Sequence, residues 1–243
     1  MRTQMNGYVV ADEDAELYRW CGYTVISPQD VRQAIADNPA GETLTFEVNS
    51  PGGNMFAGYE IYSVLKGAAV PTEAEIQSLS GSAMSVGMLG VDVIKASPVA
   101  QTMIHLPALS TSGDAVEHGR SLQALKSFTE SVLNVYELRC KGKKTRAELA
   151  AMMEAETWMT AQDALATGFV DEVLYDDDGI IAAQVVMCVG NGIRALVSTG
   201  GLPDAAELRA RKAATEHSAI TQKNNDKAAL ALQRARLNLL KNI

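Results

Sequence analysis

The chain has 243 residues, of which 47% are hydrophobic and 21% charged, a composition typical of a globular protein with a sizeable core. Its formal net charge of −8 argues against a dedicated nucleic-acid-binding protein, because such proteins need a basic surface to neutralise phosphates. Apolar runs fall short of the roughly 20 residues that a membrane helix needs, and residues 1–7 are too polar for a signal peptide. We therefore expect a cytoplasmic protein that binds neither nucleic acid nor a membrane.

Cysteine and histidine are both scarce. The three cysteines, Cys21, Cys140 and Cys188, are an odd number and lie far apart, which argues against a disulfide framework and a zinc ribbon and favours a reducing compartment. The three histidines are too few for a His-rich metal site. We therefore expect no metal site.

The charge is unevenly distributed along the chain. Residues 203–243 contain eight basic and four acidic residues, whereas residues 1–202 contain 13 basic and 25 acidic ones. The change of sign coincides with Ser198–Asp204, where two glycines and a proline interrupt regular structure. We therefore predict a folded domain over residues 1–175, a linker or extension with short strands over 176–202, and a basic, partly helical tail over 203–243.

The first 175 residues alternate short β-branched runs with amphipathic stretches. Strands are predicted at Thr43–Val48, Ala74–Leu79 and Phe169–Leu174. Helices are predicted from Ser27–Asp30 onward, through Ala57–Leu65, after Ser82, from about 114 to 139, and at Thr145–Met153 and Ala161–Thr167. Strands separated by helices predict an α/β fold with largely parallel pairing. In the long helix, one apolar face is formed by Leu122, Leu125, Phe128, Val132 and Tyr136.

The first motif that could carry chemistry is Asn49–Gly53, with the sequence N-S-P-G-G. An isolated motif of this kind is usually a turn between a strand and a helix. Two glycines also allow a peptide N–H to face a cleft with no side chain in front of it, which suits an oxyanion hole or a phosphate cradle. A Walker phosphate loop is excluded, because no G-K-[ST] follows.

The second motif is the serine-rich segment Ser78–Gly87. A serine before a small residue, at the start of an apolar helix, resembles part of a nucleophile elbow, although the full G-x-S-x-G is absent. Serines beside glycine are usually turns or caps. Because the segment contains four serines, the motif alone leaves the choice of nucleophile open.

Two further motifs supply a candidate base and a candidate acid. His105 lies in M-I-H-L-P, an apolar run ended by Pro107, so it is expected at the end of a strand, where clefts form. A lone histidine in an apolar run is more often a core residue. Glu156 precedes T-W-M-T-A and is equally compatible with a solvated loop before the helix cap at Thr160.

Together these motifs resemble the proteolytic subunit of the Clp protease (ClpP), a serine peptidase with a crotonase-like α/β fold. The resemblance covers about residues 7–175. Along the chain, the shared motifs are S-P-G-G, a serine before V-G, M-I-H-x-P, an acid before an aromatic residue, T-A-x-x-A and G-F-V-D. The sequences V-N-S-P-G-G and E-T-W, with the long tail, are most similar to the ClpP-like head maturation proteases of tailed bacteriophages. The resemblance implies repeated β-β-α units with a protruding handle helix, followed by a helical C-terminal extension.

The resemblance also implies the roles of three side chains. Ser85 corresponds to the nucleophile, because it precedes Val86-Gly87 as the family's serine precedes a hydrophobic residue and glycine; Ser82 falls where the family often has glutamine. His105 is then the general base, and Glu156 is the carboxylate that orients it. The bacterial housekeeping enzymes have aspartate at this last position, but other hydrolase triads accept either acid.

The substrate-binding groups follow from the same resemblance. The backbone amides of Gly53 and Val86 are the expected oxyanion donors. An extended peptide is expected to bind along two segments by backbone hydrogen bonds, with contacts from Gly52, Gly53, Asn54, Met55, Leu106 and Pro107. A triad of this kind needs neither a metal nor an organic cofactor.

The implied function is a ring-forming serine endopeptidase that processes scaffold or capsid proteins during procapsid maturation, in the host cytoplasm or inside the procapsid. A housekeeping ClpP that works with an ATP-driven unfoldase is one alternative. A crotonase-superfamily acyl-CoA enzyme shares the fold but does not need the serine and histidine. A catalytically inactive ring subunit is the non-enzymatic alternative. For the tail, Ala228–Leu240 has helical spacing, compatible with a docking helix, an adaptor or a removable segment.

Overall fold

A computed structural model describes residues 1–176, 202–216 and 223. The chain separates into two units, Met1–Leu202 and Pro203–Ile243. In the second unit, residues 205–216 are helical. Most of the predicted linker over 176–202, and the amphipathic stretch Ala228–Leu240, lie outside the described residues.

The described part of the first unit contains eight strands in one sheet. The strands are β1 (Arg2–Val9), β2 (Val25–Ile26), β3 (Leu44–Gly53), β4 (Thr72–Gly81), β5 (Val93–Ala96), β6 (Gln101–Ile104), β7 (Thr157–Thr160) and β8 (Glu172–Val173). Six of them pair in parallel in the order β2-β1-β3-β4-β5-β8. Strand β6 pairs in parallel with the last part of β4 and antiparallel with β7, so a short second layer of strands begins beside the carboxyl end of β4.

Seven α-helices connect these strands within residues 1–176. They are α1 (Asp12–Trp20), α2 (Pro28–Asp37), α3 (Met55–Lys66), α4 (Ala83–Gly87), α5 (Ala115–Cys140), α6 (Arg146–Glu154) and α7 (Ala161–Thr167). One face of the central strand β3 is covered by helices: Leu44, Phe46 and Val48 are fully buried, together with Ile61 of α3. On the other face, Glu47 is partly exposed and Asn49 is exposed. The α/β class with parallel pairing is confirmed. No helix of the described residues is long and apolar enough to cross a membrane.

Most predicted elements occur close to their expected positions. Helix α2 begins where Ser27-Pro28 predicted it, and Ser27 and Asp30 form a capping box. The strand predicted at Thr43–Val48 does not stop there but continues to Gly53, with a register shift against β4 between Val48 and Ser50. The segment N-S-P-G-G is therefore the irregular end of a strand rather than a turn.

Several elements have no counterpart in the prediction. Strands β1, β5 and β7 and helix α1 were not expected, and the strand predicted at Phe169–Leu174 is reduced to Glu172–Val173. Strand β1 mixes polar and apolar residues, so it lacks the clean alternation on which such a prediction depends. The sheet forms these strands because tertiary pairing outweighs local propensity.

Helix α5 is the predicted long helix, and its environment changes along its length. Asp114 and Glu117 form a capping box at its start. Only its carboxyl-terminal half is in the core, where Val132 and Tyr136 are buried, whereas Leu122 is 56% exposed. The predicted single apolar face is therefore buried at one end of the helix and solvent-exposed at the other.

Gly52 allows β3 to pass close to the end of β4. Its φ is +93°, and a Cβ placed on it would lie 2.6 Å from the Gly81 carbonyl oxygen and 2.7 Å from the Ser82 Cβ. Any side chain would therefore force the two backbones apart. Gly41 has a similar φ of +81° but nothing within 4 Å of its Cβ position, so it isolates the cost of the backbone conformation alone.

We predict that Gly52→Ala will lower the free energy of unfolding by about 2 kcal/mol or more, and Gly41→Ala by only about 1 kcal/mol, because only the former adds a backbone clash to the positive φ. Chemical denaturation of both variants measures the difference. Equal effects of the two substitutions would show that the close approach at Gly52 contributes nothing beyond its dihedral angle.

Candidate active site

Ser82 lies at the junction between β4 and α4, in an uncommon backbone conformation. Its φ of 51° and ψ of −122° are unfavourable for a residue with a Cβ and persist only where the surroundings enforce them. The Ser82 N–H donates to the Met103 carbonyl oxygen at 2.8 Å, and Gly52 packs against its Cβ. A serine on a sharp turn between a strand and a helix is the geometry that presents a nucleophile.

His105 is brought to Ser82 by strand pairing. Strand β6 pairs with the end of β4, with Gly81 opposite Met103, and His105 directly follows β6. The distance from His105 Nε2 to Ser82 Oγ is 2.7 Å, a good hydrogen bond. Both residues are partly exposed. His105 thus lies at a strand end, as expected, and reaches a serine hydroxyl that solvent can also reach.

Glu156 lies on the neighbouring chain segment. In the antiparallel pair β6–β7, Ile104 is opposite Thr157, so His105, which follows Ile104, and Glu156, which precedes Thr157, lie at the same end of the pair. Glu156 has a φ of 51°, and its N–H donates to the Met153 carbonyl oxygen, which also accepts from the Leu106 N–H, each at 3.2 Å. This shared acceptor ties the segment carrying the histidine to the segment carrying the glutamate.

The structure contradicts the placement expected for Ser85. This side chain is only 2% exposed, and its hydroxyl lies 2.6 Å from the Ser82 carbonyl oxygen and 2.8 Å from the Tyr136 hydroxyl. One turn into α4, the Ser85 side chain faces the core rather than the cleft. The serine hydroxyl that lies within hydrogen-bond distance of His105 is that of Ser82, not that of Ser85 as the sequence interpretation expected.

A cavity of about 210 Å³ opens beside the Ser82–His105 pair. It is lined by Gly53, Met55, Tyr59, Ser82, Ala83, Val86, His105, Pro107, Ala108, Val132 and Tyr136. Of the predicted substrate contacts, Gly53, Met55 and Pro107 line it. The others have different positions: Gly52 is buried, Leu106 is 38% exposed, and the Asn54 side chain caps α3 by accepting from the Ala57 N–H at 3.0 Å.

The cavity walls are mainly apolar and uncharged. Burial raises the pKa of the Tyr59 hydroxyl to about 12, and this hydroxyl donates to the Phe128 carbonyl oxygen at 3.3 Å. Burial also raises the pKa of the Tyr136 hydroxyl, so both phenols stay protonated near neutral pH. Such a pocket suits an apolar side chain next to a reacting carbonyl. Within the described ranges, no group of three or more His, Cys, Asp or Glu residues is placed to hold a metal ion.

A signal for Ser82 was present in the sequence. It is flanked by Gly81 and Ala83, and a sharp nucleophile turn needs small neighbours. It also falls between the predicted strand, which ends at Leu79, and the predicted helix, whereas Ser85 falls three residues into that helix. Strand position was therefore the better guide than the V-G that follows Ser85.

Comparison with known proteins places the chain among peptidases. The family model described as Clp protease matches residues 34–177. The chain is 29% identical over 138 residues to the ATP-dependent Clp protease proteolytic subunit 1 of Protochlamydia amoebophila, covering 55% of this chain and 66% of that protein. It is 30% identical over 142 residues to the protein of the same name from Chlamydia abortus, covering 57% and 72%.

The fold is that of a solved Clp subunit. The structure of a ClpP1 point mutant from Listeria monocytogenes superposes with a TM-score of 0.58 at 16% identity, covering 73% of this chain and 93% of that one. This likeness confirms the ClpP-like fold. Since the family model covers more than half of the chain and includes Ser82, His105 and Glu156, the protein belongs to the Clp protease family of serine peptidases.

Proposed function

We propose that the protein is a serine endopeptidase with Ser82 as nucleophile, His105 as general base and Glu156 as the carboxylate that orients the imidazole. The observation that carries the proposal is the 2.7 Å contact between Ser82 Oγ and His105 Nε2 at the mouth of an apolar cavity. A serine hydroxyl is a weak nucleophile and needs a base within hydrogen-bond reach. The pairing of Ile104 with Thr157, which brings the next residue of one strand and the preceding residue of the other to the same end of the pair, supports the third role.

The reaction proceeds in two acyl-transfer steps. His105 Nε2 takes the proton of Ser82 while Oγ forms a bond to the scissile carbonyl carbon. The protonated imidazole then gives this proton to the amine that leaves as the peptide C–N bond breaks. A water molecule, deprotonated by His105, then attacks the acyl carbon; as the ester C–O bond breaks, His105 returns this proton to Ser82 Oγ and the second product leaves as a carboxylic acid.

The assignment of the oxyanion donors depends on which serine is the nucleophile. In hydrolases with a nucleophile turn, the residue after the nucleophile supplies one backbone N–H, so the assignment moves from Val86 to Ala83. Gly53 supplies the second N–H, since it is exposed; its φ of +148° and the Val9 carbonyl oxygen, 2.2 Å from its Cβ position, allow only glycine there. Both residues line the cavity with Ser82.

For the biological substrate, we propose a protein of the tailed-phage capsid assembly, processed within a ring of identical subunits. Support comes from V-N-S-P-G-G, from a glutamate as the third triad member, and from 66 residues that follow the family match at residue 177. The alternative is a peptidase fed by an ATP-driven unfoldase, which the names of the relatives favour, because they are described as subunits of an ATP-dependent protease.

We predict that a fluorophosphonate probe will label the wild type on Ser82 and leave Ser82→Ala unlabelled. Intact-mass measurement and peptide mapping locate the adduct. Ser78→Ala is the matched control, since Ser78 is an exposed serine of the same strand, and it should label like the wild type. An adduct on Ser85 in the Ser82→Ala variant would return the nucleophile to Ser85.

We predict that Glu156→Gln will lower kcat by roughly 10²- to 10⁴-fold, because a neutral amide does not stabilise the imidazolium and favours the wrong tautomer. Glu156→Asp should keep more activity than Glu156→Gln, since it retains the charge. Hydrolysis of a fluorogenic peptide measures both. Glu154→Gln, an exposed carboxylate two residues earlier, is the control. Wild-type kcat in Glu156→Gln would remove this residue from the triad.

We predict that co-expression with candidate capsid and scaffold proteins of a tailed phage will yield discrete cleavage products with the wild type and none with Ser82→Ala. Mass spectrometry of the products identifies the cleaved bonds. The housekeeping alternative predicts a different result. The phage proteins would stay intact, and the protein would degrade an unfolded protein only when a Clp ATPase and ATP are added.

A further inference from the structure

Ser85 and Tyr136 form a buried hydrogen-bonded chain that ends on the backbone of the nucleophile. The Ser82 carbonyl oxygen accepts from the Ser85 N–H at 3.0 Å and from the Ser85 hydroxyl at 2.6 Å. The Ser85 Oγ lies 2.8 Å from the Tyr136 hydroxyl oxygen. Ser85 is 2% and Tyr136 1% exposed, so water does not substitute for these contacts.

The direction of each hydrogen bond follows from the chemistry of the groups. A carbonyl oxygen only accepts, so the single hydrogen of the Ser85 hydroxyl is given to the Ser82 carbonyl. The Tyr136 O–H therefore donates to Ser85 Oγ. Burial raises the pKa of Tyr136, which keeps this donor protonated. The chain runs from Tyr136 through Ser85 to the Ser82 carbonyl and strengthens along its length, because each bond polarises the next.

The Ser82 carbonyl belongs to the same planar peptide unit as the Ala83 N–H. In a trans peptide the C=O and the N–H point in opposite directions, and their plane is rigid. Holding the carbonyl toward Ser85 and the core therefore turns the Ala83 N–H away from the core. Ala83 lines the cavity beside Ser82 and His105.

We propose that Ser85 and Tyr136 are positioning residues that aim the Ala83 N–H at the oxyanion formed on the substrate. This inference rests on the proposed function. Ser82 needs such support because its φ of 51° and ψ of −122° are unfavourable. Without the Ser85 hydroxyl, the shorter of the two hydrogen bonds on the Ser82 carbonyl is lost, and the peptide plane is held only by the 3.0 Å bond from the Ser85 N–H. A well-placed oxyanion donor contributes to the transition state more than to the bound substrate.

The test compares Ser85→Ala, Ser85→Thr, Tyr136→Phe and the double variant Ser85→Ala/Tyr136→Phe. In Ser85→Ala we expect kcat to fall roughly tenfold while KM stays within about twofold, as for an interaction made mainly in the transition state. Affinity for a peptide boronate, whose adduct places an oxygen in the oxyanion position, should fall with kcat. Ser85→Thr should restore most of the rate, since a threonine hydroxyl can also bond the carbonyl three residues earlier.

Tyr136→Phe should cause a smaller fall, and the double variant should be no slower than Ser85→Ala, because Tyr136 acts through Ser85. The control is Thr167→Val. Thr167 is a buried residue whose hydroxyl donates to the Asp163 carbonyl oxygen at 2.7 Å, away from the cavity. It should lower the thermal midpoint without changing kcat, which separates loss of a buried hydroxyl from loss of the oxyanion donor.

Several outcomes overturn the inference. One is a wild-type kcat in Ser85→Ala. Another is a loss of activity in Ser85→Ala that disappears when the rate is divided by the amount of Ser82 that reacts with the probe, which would show a purely structural role. Additive effects in the double variant would remove Tyr136 from the chain. If Ser82→Ala keeps wild-type hydrolysis, the proposed function falls together with this inference, whereas a silent Ser85→Ala beside an inactive Ser82→Ala refutes the inference alone.

Discussion

The site depends on a close backbone contact between the ends of two parallel strands. Gly52 of β3 lies against the turn formed by Gly81, Ser82 and Ala83, where no Cβ fits. This contact sets the candidate oxyanion donor of Gly53 beside the nucleophile turn. The register shift between β3 and β4, between Val48 and Ser50, lies just before this contact.

The proposed catalytic groups and the groups proposed to support them lie at different depths in the protein. Ser82 and His105 are partly exposed, whereas Ser85 and Tyr136 behind them are fully buried. Burial raises the pKa of the Tyr136 hydroxyl and keeps the hydrogen bonds of Tyr136 and Ser85 strong, while the exposure of Ser82 and His105 lets them contact a peptide. Ser82 and Ser85, two serines three positions apart, thus have different proposed roles, because the Ser82 side chain faces the cleft and the Ser85 side chain faces the core.

The sequence predicted the architecture better than the site. Helices such as Pro28–Asp37 and Ala161–Thr167 were predictable because capping residues and spacing are local signals. Strand β7 was not, because it forms by pairing with β6 from 53 residues earlier. His105 was placed correctly at a strand end, but the choice between Ser82 and Ser85 depended on where β4 stops and on a positive φ, and neither is visible in motif spacing.

Helix α5 extends from the buried region beside Ser85 to the protein surface. Its 26 residues span about 39 Å, with Tyr136 near the buried end and Val116 exposed at the other. A tilt of about 3° about the buried end moves the exposed end by roughly 2 Å and the tyrosine by only a few tenths of an ångström. That smaller displacement still lengthens a short hydrogen bond measurably. Given the proposed role of Tyr136 and Ser85, contacts made by the outer half of α5 would therefore change the reactivity of Ser82.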